Sequence, residues 1–168
     1  SDFADSDAET TPADEAILAV AAEGIARLNS AHARPGADVF FLLHRPRRWS
    51  DSERRWIGFE RKRGKLGELN ALLRGGDAAR FSRVVGDIAR LAGTRYVITL
   101  DADTQLPRNA ARMLAATMEH PLNRPRIDER RRRVVSGYGI LQPRLGTAFT
   151  ADHDSRYAML FGGDPGLD

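Results

Sequence analysis

The segment Tyr96-Val97-Ile98-Thr99-Leu100-Asp101-Ala102-Asp103-Thr104 ends an apolar, β-rich run in two carboxylates two residues apart. In extended backbone, residues i and i+2 point to the same side. Asp101 and Asp103 can therefore aim at one point just beyond a strand end. In open α/β sheets that is where ligands bind. Two hard oxygen donors suit Mg²⁺ or Mn²⁺, and such a metal suits a diphosphate. The alternative is an Asp-rich turn that closes a strand, because Asp favours turns.

Three further segments carry candidate chemistry. Arg63-Gly64-Lys65-Leu66-Gly67-Glu68-Leu69-Asn70 reads as a helix opening. Lys65 beside free N–H groups at such a start is suited to a diphosphate, or else it simply faces solvent. Ser1-Asp2-Phe3-Ala4-Asp5 places two carboxylates before the first helix, as a binding segment or as a frayed acidic terminus. Gly137-Tyr138-Gly139-Ile140-Leu141-Gln142-Pro143-Arg144 is a glycine-punctuated strand that allows close approach by a ligand or another backbone. Trp49 and Trp56 are loop anchors or sugar-stacking platforms. His44, His120 and His153 have no metal-ligand spacing.

The elements that must position these residues follow from periodicity. Thr11-Pro12 before Asp14-Glu15 is a helix start. Ile17, Leu18, Ala21, Ile25 and Leu28 repeat at helical spacing, which predicts a helix over 12–29. Residues 38–44 read as a strand buried on both faces. Helices are predicted over 64–75, 81–91 and about 107–119, and strands over 96–100 and 134–141. Strands alternating with helices predict an α/β fold: a partial Rossmann-like, mostly parallel sheet flanked by helices. Only three strands stand out, so the sheet is expected to be incomplete at both ends. Residues 1–168 are expected to form a single domain belonging to something larger, since the chain opens at Ser1 without an initiator Met.

Composition narrows the function classes. The 168 residues are 42% hydrophobic and hold no cysteine, so a disulfide framework or Cys-bound zinc is excluded. No apolar stretch reaches membrane-span length, and no signal peptide opens the chain. Net charge is +3 but lopsided. Residues 1–23 are acidic, whereas 45–65 and 130–133 are basic. Basic clusters form solvated faces, or bind phosphate, anionic lipid or nucleic acid. No nucleic-acid partner is expected, since there is no zinc spacing, no RNA-recognition motif and little aromatic interleaving.

Arg-x-Gly-Lys-x-Gly-x-Leu-Asn, followed some thirty residues later by Asp-x-Asp-Thr, resembles nucleotide-sugar glycosyltransferases of the A-type fold, especially processive polysaccharide synthases. Residues 56–70, 96–108, His120-Pro121-Leu122-Asn123-Arg124-Pro125 and 137–144 narrow the match. Together they resemble the glycosyltransferase region of bacterial cyclic β-1,2-glucan synthases over nearly the whole chain.

That resemblance implies UDP-glucose as donor, a β-1,2-glucan acceptor, Mg²⁺ or Mn²⁺, and inverting glucosyl transfer. Asp103 would hold the metal that bridges the diphosphate, and Asp101 would sit at the ribose or share the metal. Lys65 would contact the nucleotide, and Asp2 or Asp5 the uracil. The remaining partner implied is the rest of a larger membrane-embedded synthase, with this region at the cytoplasmic face of the bacterial inner membrane and itself soluble. The general base and the Gln-x-x-Arg-Trp-like acceptor block are not recognisable in the sequence. The chain is therefore expected to bind donor and metal without turnover.

Two rivals remain on sequence. A haloacid-dehalogenase-type phosphohydrolase would use Asp101 as nucleophile, Asp103 as acid/base and Asp164 and Asp168 for its metal. Against it, Gln105 stands where Thr or Val is expected, and Lys65 is the last lysine. A non-enzymatic module would dock on anionic lipid or nucleic acid through residues 45–65 and 130–133.

Overall fold

A computed structural model describes residues 1–32, 34 and 36–143. The fold is mixed α/β, and the chain divides into two compact units, Ser1–Val97 and Ile98–Asp168.

In the first unit, α1 spans Asp14–His32 and opens close to the predicted cap. Thr11 and Asp14 lock that end reciprocally. The Thr11 N–H and hydroxyl donate to the two Asp14 carboxylate oxygens at 2.8 and 2.6 Å, while the Thr11 carbonyl accepts from the Asp14 N–H. Asn29, near the other end, accepts from the N–H groups of Val39 and Phe40 and donates to the Phe40 carbonyl. It thereby leads the chain into β1 (Leu42–His44). β2 (Arg48–Ser50) and β3 (Arg55–Ile57) form a hairpin. α2 covers Arg61–Leu73, starting three residues before its predicted opening. β4 (Arg83–Val85) pairs antiparallel with β1, placing Leu43 opposite Val84.

In the second unit, α3 spans Ala110–Glu119, and β5 (Arg126–Asp128) pairs antiparallel with β6 (Arg133–Ser136). Asn123 ties these elements together. Its side chain donates to the Thr117 carbonyl in α3, and its own carbonyl accepts the Tyr138 N–H beyond β6. Gly137 makes that return possible. Its φ is +73°, and a Cβ there would lie 2.1 Å from the Arg124 carbonyl oxygen.

Four expectations need correction, the first being the strand over 38–44 buried on both faces: only Leu42–His44 is strand, and Val39 is exposed. The described strands form two-stranded antiparallel sheets, not a mostly parallel sheet. The ladders are only three or four residues long, so no broad sheet is built for helices to flank. The predicted helix over 81–91 is instead β4 followed by a short 3₁₀ turn, Ile88–Leu91. The β-branched pair Val84-Val85 favours extended backbone. Gly86 then takes φ +96°, with Phe40 and Phe41 so close that a Cβ would not fit. Residues 96–100 form no strand, and Val97, Ile98 and Leu100 are exposed. Strand propensity is realised only where a pleated surface is half covered, and here those side chains lack that cover.

Among the described residues the buried apolar side chains are Leu18, Ile57 and Phe81, all in the first unit. Alongside them Asp14, His44, Arg45, Arg47 and Glu68 are also buried. This core is held as much by paired charge as by hydrocarbon. No described helix is long and apolar enough to cross a membrane.

Candidate functional site

The first unit brings together two of the residues singled out by sequence. Asp2 and Lys65 form an ion pair, with the Lys65 ammonium 3.4 Å from Asp2 Oδ2. Between them and the body of the unit lies Arg45, a residue not singled out as a site candidate. Its guanidinium forks onto Asp2, with Nε to Oδ1 at 2.7 Å and Nη2 to Oδ2 at 3.0 Å. It also donates to the Phe59 and Arg61 carbonyls, bracing the turn that opens α2. Glu68, about two turns along α2, lies 3.5 Å from Arg45 and 3.4 Å from Arg48. Arg45 is 3% exposed and Lys65 41% exposed. The inner cation is thus committed to structure, while the outer one is reachable by a ligand.

The backbone is shaped to admit this cluster. A Cβ on Gly58 would lie 2.8 Å from Asp2 Cγ, and one on Gly64 would lie 2.1 Å from the Phe59 carbonyl oxygen. These contacts give Gly58 and Gly64 a reason independent of any ligand, whereas a Cβ on Gly67 would meet open space. Burial alone would raise the Asp2 pKa. The Arg45 hydrogen bonds and charge, with Lys65 behind them, outweigh it and hold the carboxyl below its ordinary value. Asp2 is therefore an ionised carboxylate with both oxygens engaged.

Asp5 sits apart from Asp2 in its bonding: it takes Arg61 Nη2 at 3.0 Å, and Arg61 also holds Glu53. Arg55 pairs with Asp7, and Arg47 forks onto Asp14. Much of the basic stretch 45–65 is thus matched by the acidic residues that open the chain. The lopsided charge of the first unit is thus largely paired internally, so the 45–65 stretch is not a bare basic face, whereas residues 130–133 are exposed.

Asp101 and Asp103 lie in the second unit. The Thr104 N–H donates to the Asp101 carbonyl at 3.0 Å, closing a turn, and both carboxylate residues are exposed. The pair is therefore presented by a turn instead of an extended strand end. No group of three or more His, Asp or Glu side chains able to hold a metal occurs among the described residues. Asp101 and Asp103 place two hard oxygen-donor side chains in one exposed turn. Gln142 is exposed after β6, whereas Arg144, Asp164 and Asp168 lie outside the described residues.

His44, which spacing set aside as a metal ligand, is the most buried side chain described, at 2% exposed. Its Nδ1 is 2.9 Å from Ser1 Oγ, its ring meets Phe3 edge-on, and its buried Nε2 has no hydrogen-bond partner. Burial depresses its pKa below 6.5. The Ser1 ammonium and Arg47 push the same way, and Asp2 and Asp14 oppose them. The folded state therefore sheds this proton more readily than the unfolded chain does. Stability from His44 is complete above pH ~6.5 and is lost as pH falls below it. The unfolding free energy from urea titrations should drop between pH 7.5 and 5.5, by at most about 1.4 kcal/mol per pH unit from this group, and the midpoint with it. His44→Phe should flatten that slope. A midpoint that rises on acidification through this window would contradict the assignment.

The chain is 43% identical over 169 aligned residues, its whole length, to the cyclic beta-(1,2)-glucan synthase NdvB of Rhizobium meliloti (strain 1021). It spans 6% of that protein's length. The resemblance drawn from the Lys65 and Asp-x-Asp blocks is thereby borne out, and the chain is homologous to a segment of a cyclic β-(1,2)-glucan synthase. No protein-family profile matches the chain. No solved structure matches it.

Proposed function

We propose, taking homology to a segment of a cyclic β-(1,2)-glucan synthase as the premise, that this chain serves glucosyl transfer from UDP-glucose to a growing β-1,2-glucan. The reaction is metal-dependent and inverting, and the chain supplies donor and metal binding. It works at the cytoplasmic face of the inner membrane as part of a larger synthase. The observation that carries this reading is the exposed Asp101-Ala102-Asp103-Thr104 turn, within a chain that aligns to such a synthase over its whole length.

Asp103 and Asp101 are the proposed ligands for Mg²⁺ or Mn²⁺. When bound, the ion would offset the negative charge that develops on the departing UDP. Lys65 is the proposed nucleotide contact. Its half-exposed ammonium is held in one direction by Asp2, which supports a role as a pre-positioned cation for phosphate. Asp2 or Asp5 is proposed on the uracil side. With both Asp2 oxygens on Arg45, the orientation of Lys65 is the part of this role that its geometry supports most strongly.

Discrimination between nucleotides tests the reading. Calorimetric titration with Mn²⁺ present should give saturable UDP-glucose binding at least about tenfold tighter than GDP-mannose, a gap of roughly 1.4 kcal/mol. Equal affinity for the two would mean that the phosphates alone are recognised, and would remove the uracil and glucose assignments.

A further inference from the structure

We propose that the basic tip of the β5–β6 hairpin docks on an anionic phospholipid surface, a role that stands apart from the donor reading above. Residues 124–133 hold six arginines against two acids. In the first unit such charge is largely paired, and here most of it is bare. Asp128 is engaged by the turn: its Oδ1 accepts the Arg131 N–H at 3.0 Å, and its Oδ2 lies 3.8 Å from Arg131 Nε. Arg124 pairs with Glu119. Arg126, Arg130, Arg132 and Arg133 are exposed and make no ion pair among the described residues, and Glu129 is the one acid left beside them.

The hairpin also carries uncovered hydrocarbon. Ile127 and Val134 stand directly opposite each other across the ladder, so their side chains share one face. They are 59% and 42% exposed. Arg133 lies opposite Asp128 on the other face, whereas Arg130 and Arg132 belong to the turn that joins the strands. A two-stranded hairpin is marginal in water unless its apolar face is covered. A fitting surface must bring negative charge to the turn and apolar cover to Ile127 and Val134 together.

The headgroup region of an anionic bilayer supplies both. Its phosphate oxygens accept hydrogen bonds from guanidinium groups, and its boundary with the acyl chains takes shallow aliphatic side chains. Long arginine stems let the charged heads stay among the phosphates while Ile127 and Val134 reach deeper. A nucleic acid would meet the arginines with phosphate and leave the aliphatic pair uncovered. The hairpin can go no further in. Its two strands have no third strand beside them among the described residues, and hydrocarbon would strand their outer N–H and C=O groups. The docking is therefore shallow, carried mainly by charge, and sensitive to salt.

Vesicle flotation of the 168-residue chain tests this. Phosphatidylcholine vesicles containing about a third phosphatidylglycerol should bind it saturably, and pure phosphatidylcholine at least about tenfold more weakly. Raising salt from about 0.05 M to about 0.5 M should weaken the anionic binding at least about tenfold. Each arginine at such a surface contributes about fivefold, so Arg130→Gln with Arg132→Gln should weaken binding at least about tenfold. Arg130→Lys with Arg132→Lys keeps the charge and should stay within about threefold of the parent. Ile127→Ser should weaken binding about threefold or more. Arg27→Gln with Arg54→Gln removes the same charge from exposed positions of the first unit and should change binding by less than about twofold. Equal binding to neutral and anionic vesicles, binding to neither, or equal losses from the two glutamine pairs would overturn the proposal. A double-stranded oligonucleotide that displaces the chain from the vesicles would assign the arginines to nucleic acid, and would equally overturn it.

Discussion

Arg45→Ala is expected to cost about 3–5 kcal/mol of folding stability, a large part of what a domain of this size possesses. The magnitude follows from what one guanidinium does. It neutralises Asp2 through two hydrogen bonds, satisfies the Phe59 and Arg61 carbonyls, and lies within 3.5 Å of Glu68. Removing it leaves two largely buried carboxylates with only Lys65 and Arg48 nearby, both of them partly in solvent. Uncompensated buried charge is what makes such a deletion costly, more than the loss of attraction itself. Arg45→Lys should recover only part of the loss, because an ammonium cannot reproduce the planar fork onto Asp2. Urea unfolding followed by circular dichroism measures both variants. A loss below about 1 kcal/mol for Arg45→Ala, the range of an exposed ion pair, would show that the cluster is not the structural centre described here.

Asp103→Ala is expected to weaken UDP-glucose binding in Mn²⁺ by about 100-fold or more, roughly 2.7 kcal/mol. Asp103→Asn should lose nearly as much, since it keeps the size of the side chain and removes the charge a hard cation requires. Both residues of the Asp-x-Asp turn are exposed, so neither substitution should change the unfolding free energy by more than about 0.5 kcal/mol. That separation between binding and stability sets the two predictions apart. Arg45 acts on the fold, and the role proposed for Asp103 is on the ligand. Adding a chelator should take nothing further from the Asp103→Ala variant, because the metal contribution is already gone. A variant that binds UDP-glucose as the parent chain does would remove Asp103 from the site.

The contrast between Arg45 and Asp103 also marks how far the sequence could be read. Asp103 announces itself through two carboxylates at i and i+2 beside an apolar run. Arg45 does not, because its meaning lies in partners at Asp2, 43 residues away, and at Glu68. Local signals were legible: the Thr11-Asp14 start places α1 and the Leu66–Leu73 periodicity places α2. Where the outcome depended on tertiary cover, the same rules misread. Val84-Val85 next to Gly86 passed for helical spacing but pairs with β1, and the apolar run before Asp101 forms no ladder. The acidic opening and the basic middle were legible as opposite charges, and their pairing with each other was not. Sequence separation hides that neutralisation, and it redirects the basic residues from a docking face to the scaffold under Lys65.

The central claim is that this chain carries a metal-dependent nucleotide-sugar site, and UDP-glucose affinity with and without Mn²⁺ tests it most directly. The account predicts saturable binding in Mn²⁺ that weakens at least about tenfold when the ion is chelated. Binding that is unchanged by chelation, or absent under both conditions, would contradict it.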